Sequence, residues 1–263
     1  MHRISLASGV LPEFGPVDVV EAASAAGFDE VGIWVEPGEW TEQTTRDTRA
    51  ALAATGLPVL DVEVVWIKPD TSLDVHKRVL DVGMELGAKN VLCVSSHPDA
   101  AATVEHLAAL CRHAEGTGMR VALEFGIFTE VKNLAQALGI LDRVAHPLRA
   151  VLIDPIHVDR SGTTVAEIAA IDRALLPYAQ LCDARAVRPD PNDFDAVIID
   201  AIDLREQCGE GVLPLAAMLE ALPPQIPLSI ELRSAALREA FSHPALRAKA
   251  VADATRSFLE TLA

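Results

Sequence analysis

Four glycines recur at nearly one interval along the chain. Gly27, Gly56, Gly87 and Gly118 are separated by 29, 31 and 31 residues. Each closes a helix-like stretch and opens an apolar run, in AAGFDEVGIW, ATGLPVLDVEVV, ELGAKNVLCVSS and GTGMRVALEF. A glycine just past a helix end takes the left-handed conformation that stops the helix. An interval of about 30 residues holds one strand, one helix and two loops, the βα unit of a parallel sheet.

Extending that rhythm predicts strands at 3–7, 30–35, 59–66, 90–95, 120–125, 150–154, 178–182 and 227–232. Helices are expected near 17–26, 42–55, 72–86, 100–116, 130–144, 163–174, 194–206 and 214–221, with a final one at 244–261. The strands are near-continuous Val, Ile and Leu, the pattern of strands buried on both faces. Pro16 suits the first turn of a helix, and Thr71 or Ser72 can cap the third. Eight βα units in 263 residues match an α/β fold of the (β/α)8 TIM-barrel type, as one domain over 1–263. A doubly wound sheet would carry a glycine-rich turn after its first strand, and ASGVLPEFG has neither GxGxxG nor GxxxxGK.

Charge narrows the function. A formal net charge of -16 disfavours nucleic acid as a partner, because phosphate contacts need Lys and Arg. No apolar run approaches the roughly 20 residues that span a bilayer. MHRISLASG lacks the basic, apolar and small-residue order of a secretory leader. Cys93, Cys111, Cys182 and Cys208 form no CxxC pair, as in a reducing compartment. A cytoplasmic protein with a small-molecule partner, no nucleic acid and no membrane, is expected.

In a parallel barrel the C-terminal strand ends converge on one face, where chemistry sits. The candidates there are Glu36, Trp66, Lys68, His97, Glu124, Asp154 with His157, Gln180 with Asp183 and Arg185, and Glu231 with Arg233. Glu124, Asp154 and Glu231 each end an apolar run (VALE, AVLID, PLSIE). A buried ionised carboxylate is costly unless it is paired or bound to metal. Separate explanations exist: a loop cap for Asp154, and pairing of Glu231 with Arg233 or Arg160. Three carboxylates at strand ends five, six and eight point instead to one oxygen-rich pocket for a divalent cation. In YAQLCDA, either Gln180 or Asp183 can face the centre, since a separation of three puts them on opposite faces. His157 is the side chain most easily poised as acid or base near neutral pH. Arg160, before the Ser161-Gly162 turn, can clamp an anionic substrate group. The Gly209-Glu210-Gly211 turn can approach a substrate through its backbone.

These residues resemble the xylose isomerase-like barrels, the sugar isomerase/epimerase proteins. The similarity runs from LASGVLPEFGPVDVVEAASAAGFDEVGIW through LEF and IDPIHVDRSG to CGEGVLP and SIEL. Members include tagatose-type 3-epimerases, hydroxypyruvate isomerase, inosose dehydratase, 3-dehydroshikimate dehydratase and, more distantly, endonuclease IV. The resemblance implies a metal set of Glu124, Asp154, Gln180 and Glu231, with Gln180 where most members carry histidine. Some 3-dehydroshikimate dehydratases are similar in having Gln there. Oxygen donors alone favour Mn2+ or Mg2+ over Zn2+. The implied activity is isomerisation or epimerisation of a sugar or keto-polyol, through proton abstraction and an enediolate. Dehydration of the 3-dehydroshikimate or inosose type is the alternative. Glu124, Glu231 and His157 are the implied catalytic groups. Trp66, His97, Arg160, Arg185 and Arg233 are the candidate substrate contacts, and the resemblance adds a homodimer as an expectation.

Overall fold

Parallel strands ring a single axis in a computed structural model that describes residues 2–262. The barrel strands are β1 (Ile4–Leu6), β2 (Glu30–Trp34), β3 (Val59–Ile67), β4 (Asn90–Ser95), β5 (Arg120–Glu124), β6 (Arg149–Leu152) and β7 (Ala179–Leu181). A small antiparallel ribbon, β8 (Asp183–Ala184) with β9 (Arg205–Glu206), follows β7, and β10 (Leu228–Ile230) is the eighth barrel strand. The sheet runs β6-β5-β4-β3-β2-β1-β10-β7. Gln180 N–H donates to Ile153 O at 2.9 Å across the seam between β7 and β6, bringing the ring round on itself. All eight predicted strands are present, with ends within two residues of those expected.

The outer layer is α1 (Pro16–Ala26), α2 (Glu42–Thr55), α3 (Leu73–Leu86), α4 (Ala100–His113), α5 (Leu134–Val144), α6 (Pro155–Ser161), α7 (Val165–Ala169), α8 (Phe194–Asp203), α9 (Leu215–Ala221), α10 (Ala235–Ala240) and α11 (Pro244–Glu260). Gly27, Gly56 and Gly87 cap α1, α2 and α3 at φ of 76, 71 and 74°. The fourth glycine differs: α4 stops at His113, and Gly116 and Gly118 shape the turn that follows it. Ser72, not Thr71, caps α3, its Oγ accepting from Val75 N–H. The expected helix at 130–144 starts at Leu134 because Asn133 caps it, accepting from Gln136 N–H at 3.0 Å. The expected helix at 163–174 shrinks to α7. The short α6 before it, not foreseen, is capped by Asp154 and ended by Gly162 at φ 74°.

Strand alternation divides the core in two. Ile4, Leu6, Val121, Leu123, Leu228 and Ile230 pack outward against the helices. Leu60, Leu92, Val94, Ala122, Ala150, Leu152 and Tyr178 fill the barrel interior on the β3–β6 side. The alternate positions on β1, β7 and β10 are Ser5, Gln180 and Ser229, all buried, so the interior is polar on that side. β3 breaks strict alternation. Its register shifts against β2 beside Leu60 and against β4 between Val62 and Val65. Shifts of this kind re-aim side chains, and here they bury Asp61 and Glu63. No helix among the described residues is long and apolar enough to cross a membrane.

Candidate active site

Glu124 ends β5 on the interior face, because its strand neighbours Val121 and Leu123 face the helices. It is 4% exposed, and its Oε1 has no hydrogen-bond partner among the described residues. Asp154 is the cap of α6: its Oδ1 accepts from Ile156 N–H at 3.1 Å. Its Oδ2 accepts from Arg205 Nη1 at 2.7 Å, so the cap and the site are the same residue. One turn into α6, His157 Nε2 stands 3.7 Å from Asp154 Oδ2. Ligand-capable atoms of Glu124, Asp154 and His157 all lie within 4.8 Å of one another.

Glu231, just past β10, is held from the side by Arg205. The guanidinium Nη2 is 3.5 Å from Glu231 Oε2, and Nη1 donates to the Glu231 carbonyl at 3.1 Å. Arg205 Nε donates to Ala201 O at 2.6 Å, anchoring the side chain to α8. Sequence reasoning missed this arginine and offered Arg233 or Arg160 as the partner of Glu231. The available signal was its place in LREQCGEG, just ahead of the Gly209-Glu210-Gly211 turn expected to approach a substrate.

Burial drives the Glu124 carboxyl well above its ordinary value, and the neighbouring Glu231 and Asp154 push it further. Burial also raises Glu231, to about 7, even with Arg205 opposing. Asp154 is buried too, but Arg205 and His157 hold it below the usual range. Burial lowers His157 to about 4, leaving a neutral imidazole at neutral pH.

Four of these groups open on a cavity of about 280 Å³. Glu124, Glu231, His157 and Arg205 line it together with Glu63 and Arg233, and Ile198 and Ile202 of α8 contribute apolar wall. Trp66 and Phe128 pack edge to face at 5.9 Å between centroids, and Phe128 lies 5.1 Å from the His157 ring. Trp66 is fixed by its indole N–H, which donates to Ser96 Oγ at 2.9 Å. Lys68 Nζ sits 4.2 Å over its ring. Gln180 faces the barrel interior with both amide atoms buried and unpartnered among the described residues. Asp183 is occupied elsewhere: it accepts from Gly209 and Leu213 N–H at 3.1 and 2.9 Å, ordering the CGEG turn. A Cβ at Gly211 would meet Asp183 Oδ1 at 2.3 Å, so that turn packs on Asp183.

Of the five candidate substrate contacts, Trp66 and Arg233 line the cavity and three do not. Arg160 forks onto Asp200 of α8 at 2.8 and 3.2 Å and bonds Asp159 at 2.6 Å, so its donors are taken. Arg185 pairs with Glu206 at 2.6 Å and is half exposed on the ribbon. His97 lines a separate hollow with Glu130 and Arg143, and its Nδ1 accepts from Asp99 N–H at 3.0 Å.

The sequence profile of the xylose isomerase-like TIM barrel matches residues 20–259. The chain belongs to this family. Among solved structures, this xylose isomerase-like barrel is similar to a xylose isomerase-like TIM barrel/4-hydroxyphenylpyruvate dioxygenase fusion protein, with TM-score 0.81 and 22% identity over 99% of this chain. The chain spans 44% of that fusion's length. An IolI protein with a bound zinc atom gives TM-score 0.79 at 16% identity, covering 99% of this chain and 97% of that one. D-allulose 3-epimerase from Methylomonas sp., in complex with D-allulose, gives 0.73 at 14%, covering 100% and 97%. No curated protein matches the chain at a significant level.

The family implies a divalent metal, and the residues of this xylose isomerase-like barrel fit one. Glu124 Oε1 and Gln180 Oε1 are buried acceptors without donors. Glu124, Asp154 and His157 already cluster at ligand spacing.

Proposed function

We propose that this barrel is a sugar or keto-polyol isomerase/epimerase acting by proton abstraction beside a carbonyl. One observation carries the reading. Two glutamates, Glu124 and Glu231, flank a single cavity from strands three apart around an eight-strand ring.

Glu124, Asp154, Gln180 and Glu231 would hold one divalent metal, with Mn2+ or Mg2+ favoured by the oxygen donors. When bound, the metal would act as a Lewis acid that polarises the substrate carbonyl. Glu124 takes the C–H proton from one side, leaving an enediolate, and Glu231 returns a proton from the other. His157, neutral and one turn from Asp154, accepts or donates a hydrogen bond at the substrate hydroxyl. Arg205 fixes Asp154 and Glu231 and places positive charge beside the developing oxyanion. Return of the proton to the same carbon is epimerisation, and to its neighbour, isomerisation.

A dehydratase reading is favoured by two features. Gln180 occupies the strand-seven position, and Val64, Leu92, Val94 and Phe128 give the cavity an apolar wall suited to a ring of few hydroxyls. There the enolate left by the same proton abstraction forms the enone C=C bond as the β C–O bond breaks, and the departing hydroxyl leaves as water with the proton that Glu231 supplies.

The test is solvent deuterium incorporation into ketoses, inososes and 3-dehydroshikimate with Mn2+ present, followed by NMR. Exchange at the carbon beside the carbonyl is expected in at least one substrate. Its absence across the panel would sink proton abstraction. An ultraviolet-absorbing enone product selects dehydration over epimerisation.

A further inference from the structure

A second cavity, of about 490 Å³, lies between the loops that follow β1 and β2. It adjoins the inner one, with which it shares part of its lining. Trp34 and Arg233 line both cavities. Ser8 on the outer wall donates to Glu63 on the inner wall. The inner cavity, at about 280 Å³, falls just under the usual range of ligand pockets, roughly 300–1,000 Å³. The outer cavity is the larger of the two.

Its lining is specific. Trp40 and Phe14 add aromatic surface to Trp34, which is 40% exposed. Trp40 is held rigid by its indole N–H, which donates to Thr45 Oγ1 at 2.8 Å. Glu36 and Glu39 supply acceptors, and Arg233 supplies donors. The Arg233 guanidinium lies 6.0 Å from the Trp34 ring centroid, and its Nε is buried without a partner. Flat aromatic faces receive the C–H faces of a pyranose, while carboxylates and a guanidinium satisfy the hydroxyls on its rim. Two carboxylates against one guanidinium discriminate against a phosphorylated or acidic ligand by like-charge repulsion.

From this geometry we infer that the substrate is an unphosphorylated two-ring glycoside. The reacting keto ring occupies the inner cavity, and a second sugar ring rests on Trp34 and Trp40 in the outer one. The assignment of the inner ring rests on the proton-abstraction reading, whereas occupancy of the outer cavity is a matter of binding alone.

The test is calorimetric titration of the Mn2+-loaded protein with glucose, glucose 6-phosphate, and the disaccharides cellobiose, maltose, trehalose and lactose. At least one disaccharide is expected to bind about tenfold more tightly than glucose, a difference of ~1.4 kcal/mol. Glucose 6-phosphate is expected to bind no better than glucose. Trp40→Ala and Glu36→Gln should each collapse the disaccharide-to-glucose ratio toward one. Glu36 is exposed on its loop, so its variant serves even where Trp40→Ala fails to fold. Equal binding of all sugars, a preference for the phosphate, or a ratio that survives Glu36→Gln would each overturn the inference. Disaccharide preference without deuterium exchange on any substrate would refute the catalytic reading and leave the outer subsite standing. Exchange on monosaccharides without disaccharide preference would do the reverse.

Discussion

Glu124, Asp154 and Glu231 on one arc, at the C-terminal strand ends, and Asp61 and Glu63 on the other, along β3, are all buried carboxyl groups. The first arc gives them a cation: Arg205 reaches Asp154 and Glu231, and the empty acceptors of Glu124 and Gln180 leave room for another. The second arc gives them hydroxyls. Tyr178 donates to Asp61 at 3.3 Å, and Ser8 donates to Glu63. Burial raises both Asp61 and Glu63 above their ordinary values, Asp61 the further, with Glu63 and Glu231 adding repulsion. The same residue type is thus partnered in two ways, by a guanidinium on one side and by hydroxyls on the other.

The largest test of that contrast is catalytic. Glu124→Gln should lower deuterium exchange by about 10²–10⁴-fold, the usual worth of a general base, while Glu63→Gln stays within a fewfold of the parent. Comparable losses in both variants would erase the distinction between the arcs. Stability comes next. Removing one partner of a buried ion pair costs about 3–5 kcal/mol, so Arg205→Met should lower the urea unfolding free energy by that order. A change under about 1 kcal/mol would mean that Arg205 compensates nothing.

How much of this was legible depends on pattern regularity. Glycine spacing exposed the βα rhythm, and Glu124, Asp154 and Glu231 stood out because each ends a clean apolar run. Asp61 and Glu63 sit in VLDVEVV, where register shifts break the alternation that would have assigned them inward. Arg205 was hidden for a different reason. It belongs to a two-residue ribbon strand, too short to carry a period, and its role depends on long-range contacts with residues 51 and 26 positions away. Arg160 shows the converse. Its place before the Ser161-Gly162 turn suggests a substrate contact, but Asp200, forty positions on, claims its guanidinium.

A smaller effect sharpens the role of Gln180. Gln180→Leu removes the unpartnered amide and should weaken Mn2+ binding by about ten- to a hundredfold in calorimetry, a loss of the size seen when a metal's supporting groups are removed. Glu63→Gln should leave that affinity unchanged. If Gln180→Leu binds Mn2+ as well as the parent, His157 takes the fourth position, and the imidazole would shift preference toward Zn2+.

The smallest effect concerns Asp61, and its sign follows from linkage. A carboxyl whose folded pKa lies above its ordinary value of 3.8 keeps its proton in the folded chain while the unfolded chain gives it up. Between those two values the unfolded state binds fewer protons, so stability falls as pH rises. Asp61→Asn removes that slope and leaves the amide oxygen to accept from Tyr178. The variant should therefore gain on the parent as pH increases above about 4, with the folded state retained throughout. Unfolding curves at pH 5 and pH 8 measure the difference between the two proteins. Should the variant instead lose stability as pH rises, Asp61 is ionised in the folded protein, and the second arc, like the first, must contain a cation that balances it.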